Sequence, residues 1–87
     1  MKAPELMEYL RKITDYIEYS FFQNSTEIME AIQNKGFENV LEILSLKEIK
    51  KGVYICDTVW NVDEDKSFKK NVNIDITDEM IFITEVI

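Results

Sequence analysis

The apolar residues of this 87-residue chain change their period at Gly52. Before it they recur at three- and four-residue steps, the repeat of one helix face; after it they alternate, the repeat of a strand. A single switch of this kind predicts helices segregated from strands, an α+β architecture. The chain is short enough that one domain over 1–87, with a helical part at 4–51 and a strand part at 53–87, accounts for all of it. A domain of this size buries only roughly 60 to 65% of the surface its unfolded form exposes, so the 46% apolar content is committed almost entirely to one core.

The spacing predicts a first helix over 4–22. Pro4 suits the first turn, Glu5 and Glu8 sit at the positive end of the macrodipole, and Leu6, Leu10, Ile13, Ile17 and Phe21 form one stripe. Tyr9 and Tyr16 lie at the margin of that stripe, where a ring packs inward while its hydroxyl stays wet. A second helix starts at Asn24 or Ser25, with Glu27 completing a capping box, and ends at Gly36, turning Ile28, Met29 and Ile32 inward. Phe37, Val40, Leu41 and Leu44 continue at helical steps, and Ser45 with Glu48 offers another capping box before Lys50, Lys51 and Gly52. The expected helical part is therefore a group of three or four helices.

Three strands are expected after Gly52: Val53 to Val62, Val72 to Thr77 and Met80 to Ile87. Asp78-Glu79 makes a tight link between the last two, and Asp63 to Lys70 a longer charged one between the first two. The expectation is a three-stranded antiparallel meander with the first helix packed on it. In the first strand Tyr54, Cys56, Trp60 and Val62 share one face, and Val53, Ile55 and Val59 the other. If helices cover one face only, Val53, Ile55, Val59, Ile81 and Ile83 become a candidate apolar interface, through which the chain would form a homodimer or join a companion subunit as a structural module.

The absence of histidine removes the commonest neutral-pH general base, the usual partner of serine and cysteine nucleophiles, and the commonest transition-metal ligand. Cys56 is alone, between Ile55 and Asp57, and reads as a buried inert thiol in a chain that lives in the cytoplasm. Counted from Asp63, Phe68 stands where a calcium loop needs glycine and Ile74 where it needs glutamate, so no metal site is expected. Gly36 and Gly52 are isolated and build no phosphate loop. The longest apolar runs, Val53 to Cys56 and Met80 to Ile83, are too short for a membrane span or a signal peptide. The reading is of a protein that is not an enzyme and takes no cofactor.

Charge supplies the positive indication. Seventeen acidic residues against ten basic ones give a net charge of −7, and residues 53–87 carry eight acids against three lysines. Such a field repels nucleic-acid phosphates directly and attracts a basic protein surface. Asp57, Asp63, Glu64, Asp65, Asp75, Asp78 and Glu79 are the candidate partner-binding residues. The function expected is a small acidic binding module, an inhibitor that docks on the nucleic-acid-binding surface of another protein as phage anti-defence proteins do. Lys66, Lys69 and Lys70, next to the acidic run, read as local neutralisation or edge protection.

Overall fold

The structure, a computed structural model, describes residues 1–86. Helix α1 spans Ala3–Lys12 and opens with Pro4 in its first turn; Glu5 reaches back to accept the Lys2 backbone N–H. Leu6 and Leu10 are fully buried, and Glu8 on the outer side pairs with Arg11. The helix stops ten residues earlier than its apolar stripe suggests. Thr14 Oγ1 donates to the carbonyl oxygens of Leu10 and Arg11, and the backbone tightens into a 3-10 turn over Thr14–Tyr16. A β-branched hydroxyl that competes for the last carbonyls ends a helix readily.

Residues 17–20 then form strand β1, Ile17–Ser20. Ile17 and Phe21 are four apart, but Ile17 and Tyr19 are also two apart, so a helix stripe and a strand face share residues here. The decision falls to β5, which pairs with β1 in parallel register from Ile17 opposite Ile81 to Ser20 opposite Thr84. Helix α2 follows over Ser25–Lys35 and ends at Gly36, whose N–H donates to the Ile32 carbonyl and whose φ of +90° turns the chain out of the helix. Asn24 precedes it in a left-handed conformation, without the side-chain capping bond expected. Ile28 and Ala31 are buried while Met29 faces solvent, so only part of the expected inward set is inside.

The larger departure is over 41–50. Strand β2 (Leu41–Lys50) replaces the expected helix and pairs antiparallel with β3 (Val53–Asp63) through the two-residue turn Lys51-Gly52. The register shifts at Leu44 and again at Ile49. Each bulge resets the alternation, so the inner-face positions Leu41, Ile43, Leu46 and Glu48 are spaced two, three and two residues apart, and no strict two-residue period marks the strand in the sequence. Strand β4 (Lys66–Ile76) starts six residues before the expected strand, because Asp63 pairs with Lys66 and only Glu64-Asp65 turns. Strand β5 covers Ile81–Glu85, after a turn in which Thr77 Oγ1 and N–H both donate to the Met80 carbonyl. Ile87, assigned from sequence to this strand, lies outside the described residues.

Among the described residues, two α-helices and a five-stranded mixed sheet of order β1-β5-β4-β3-β2 are thus the observed architecture, in place of three or four helices and a three-stranded antiparallel meander. The division into a helical part at 4–51 and a strand part at 53–87 fails with it, since β1 and β2 lie in the first part. Both helices cover one face. Leu6, Leu10, Ile28 and Ala31 pack with Tyr54, Cys56, Trp60, Val72, Ile74, Ile81 and Ile83 in one buried cluster. Trp60 stands at its centre, edge-on to Tyr19, Phe22 and Phe37, and its Nε1–H donates to Thr58 Oγ1 at 2.8 Å. No described helix is long and apolar enough to cross a membrane.

Candidate protein-docking cleft

The seven acids singled out from sequence fall in three places. Asp57 sits mid-sheet on the helix-free face, where its carboxylate accepts from Ser45 Oγ at 2.9 Å and Asn71 Nδ2 at 3.1 Å, its cross-strand neighbours. Asp75 is opposite Val53 and Phe82 at one end of the sheet, close to the turn that holds Asp78 and Glu79. Asp63, Glu64 and Asp65 form the β3–β4 turn at the other end. Eleven residues of β3 separate the two ends by about 33 Å. Asp57 is tied up in the sheet's own hydrogen bonds, so the acids do not act as one field.

The helix-free face is polar for the most part. Asn71, Asn73, Lys69 and Thr84 alternate there with the partly covered Ile55 and Phe82. Val53, Ile55 and Val59 lie on this side, but Ile81 and Ile83 are fully buried beneath the helices. The candidate apolar interface is therefore split between two faces and has no common surface.

At the β3–β4 turn the structure assembles something the sequence did not show. Helix α2 runs past the turn and presents Glu27, Glu30 and Asn34, spaced three and four apart on one flank, with Lys35 one turn beyond Ala31. Together with Val62, Asp63 and Lys66 they line a cleft of about 280 Å³, whose floor is Ala31 and Val62. Counting the turn itself, five carboxylates (Glu27, Glu30, Asp63, Glu64 and Asp65) meet two ammonium groups (Lys35 and Lys66). Lys66 Nζ lies 2.6 Å from Glu27 Oε2, and its ammonium also stands 5.5 Å from the Phe68 ring. Both partners of this pair are about half exposed, so it contributes no more than about 1 kcal/mol to stability. The sequence offered Glu27 only as a capping-box residue and gave Glu30 no role; which helix flank meets a turn 33 residues further along is set by packing.

The buried polar groups serve the core. Lys70, expected at a solvated acidic tip, points inward at 4% side-chain exposure. Its ammonium lies 3.0 Å from Glu85 and 5.0 Å from the Phe22 ring, and Glu85 also accepts the Gln23 backbone N–H at 2.8 Å. Burial pushes the Cys56 thiol up to about 11, with the Asp57 carboxylate adding to the shift, so the thiolate is scarce at neutral pH. Tyr9 and Tyr16 are exposed and do not seal the core. Among the described residues no group of three or more His, Cys, Asp or Glu side chains is placed to hold a metal ion. Comparison with protein-family models, curated proteins and solved structures finds no match for this chain.

Proposed function

We propose that this protein is a non-enzymatic binding module whose acidic cleft between α2 and the β3–β4 turn docks on a basic surface of another protein. One observation carries the reading: α2 adds Glu27 and Glu30 to the acidic turn, which turns a solvated loop tip into a concave, negatively charged surface with an apolar floor. The Lys66–Glu27 contact supplies the internal precedent, since an ammonium group is already held by a cleft carboxylate at 2.6 Å. A partner's lysines and arginines would be recognised in the same manner, with the net charge of −7 steering the approach. Surfaces of that chemistry are those that bind nucleic-acid phosphates, so the expected effect of docking is inhibition by occupancy. The lone thiol, buried and inert, fits a reducing compartment such as the cytoplasm.

The experiment is an affinity capture from the source cells with the wild-type chain and with a Glu27→Lys, Glu30→Lys, Asp63→Lys variant, with folding checked by circular dichroism. The expected result is a partner retained by the wild type, lost with the variant and displaced by nucleic acid. Equal retention by both chains would remove the cleft from the function.

A further inference from the structure

The two edges of the sheet are built differently. At one edge β2 carries two register shifts, at Leu44 and Ile49, and a run of charge that includes Lys47, Lys50 and Lys51. Bulges and lysines are ordinary defences against strand addition. At the other edge β1 pairs with β5 on one side, and no described strand lies on its other side. Its pairing is regular through all four residues, and Ile17-Glu18-Tyr19-Ser20 contains neither lysine nor proline. An edge of this kind presents backbone N–H and C=O groups that an extended chain can pair.

Three further features converge on β1. Exposed aromatic rings bracket it, Tyr16 immediately before and Phe21 immediately after, at 59% and 81% exposure. Phe21 holds a φ of +53°, which is uncommon for a bulky residue and turns its ring to solvent while Phe22 enters the core. Between the start of β1 and α2 lies a cavity of about 490 Å³ with Ile17, Met29, Ile32 and Phe37 among its walls and Asp15 and Gln33 as its polar lining. Asp15 lines this cavity and Glu18 stands within β1, while no lysine or arginine is among the residues that line the cavity. The edge and its surroundings are therefore negative, with an apolar recess on the helix-covered side.

We propose that the open edge of β1 receives an extended, basic segment of another protein as a sixth strand. Side chains alternate along such a strand. Apolar ones on the helix side enter the Ile17–Met29–Ile32–Phe37 cavity, and lysine or arginine on the opposite side faces Glu18. This surface is separate from the acidic cleft and stands whether or not the cleft binds a partner.

The test uses the full, isotope-labelled chain and an end-capped eight-residue peptide that alternates lysine with valine. Two control peptides accompany it: one of the same composition in two blocks, and one N-methylated at alternate residues. The expected result is chemical-shift change at residues 17–20 and 29–33, with slowed amide exchange in β1. The block and N-methylated peptides should bind at least tenfold more weakly, and Glu18→Lys should weaken the alternating peptide by a similar factor. Equal binding of all three peptides would show attraction by charge alone and overturn the proposal, as would shifts confined to Glu27, Glu30 and Asp63. A concentration-dependent dimer with β1 amides already protected would also overturn it, by giving the edge to a second copy of the chain.

Discussion

The ammonium of Lys70 on β4 lies 3.0 Å from the carboxylate of Glu85 on β5, in a site that leaves the two side chains only 4% and 14% exposed. The pair joins two strands, and through the Gln23 N–H that Glu85 also accepts, it fastens the β1–α2 loop to the sheet. Removing one partner strands a buried charge, a loss of about 3 to 5 kcal/mol, whereas replacing both with apolar side chains of similar volume is close to neutral. Lys70→Ala and Glu85→Ala are each expected to destabilise by about that amount in urea unfolding. Lys70→Met with Glu85→Leu should recover at least half of the loss; a double variant as unstable as the singles would contradict this account.

Trp60 and Thr58 form a second coupled pair. Thr58 Oγ1 accepts from Trp60 Nε1–H at 2.8 Å and donates to the Lys70 carbonyl at 2.7 Å, inside the core. Thr58→Val keeps the shape and leaves the Trp60 Nε1–H without its acceptor, an expected cost of about 1 to 3 kcal/mol. Trp60→Ala should cost about 3 to 5 kcal/mol, comparable with the whole stability of a small domain, and leave the chain largely unfolded by circular dichroism. Tryptophan emission in the wild type should be blue-shifted and poorly quenched by iodide.

Stability should fall in alkaline solution, and the sign follows from Cys56. Its folded-state value of about 11 lies above the ordinary 9.0, so between those limits the unfolded chain has released a proton that the folded chain still holds. Folding is then disfavoured progressively as pH rises, by at most about 1.4 kcal/mol per unit from this thiol. Burial raises Tyr19 and Tyr54 in the same direction and extends the decline above pH 10. Urea midpoints measured from pH 7 to 11 should drop from about pH 9 onward, and Cys56→Ala should remove the first part of that drop. A flat profile for the wild type would refute the thiol's part in it.

Gly52 turns the β2–β3 hairpin at a φ of +82°, and a Cβ added there would lie 3.0 Å from the Ile76 carbonyl oxygen. That oxygen belongs to the residue whose N–H donates to the Gly52 carbonyl at 2.8 Å, so neither backbone can give way freely. Gly52→Ala is expected to lower stability by at least about 1 kcal/mol in thermal unfolding. An unchanged melting temperature would show that the turn tolerates a side chain.

What the residues determine by themselves is local. Pro4 and Glu5 mark the start of α1, Gly36 the end of α2, and the partition of β3 into a Tyr54, Cys56, Trp60 face and a Val53, Ile55, Val59 face is read correctly from alternation. The Asp78-Glu79 turn is legible for the same reason, because turn chemistry acts over a few residues.

Tertiary structure decided the rest. β1 exists because a partner strand 64 residues later offers it a ladder, and no local periodicity records that partner. β2 was hidden because two bulges, which arise from pairing with β3, break its two-residue alternation. Lys70 looks like a surface charge until Glu85 is brought to within 3.0 Å of it, and Glu27 and Glu30 gain their setting only when α2 is laid against the β3–β4 turn. Backbone torsion preferences and caps act between neighbours and are written in the sequence; strand partners, buried ion pairs and clefts are made by residues far apart in the chain, whose free energy is gained only once the core has closed.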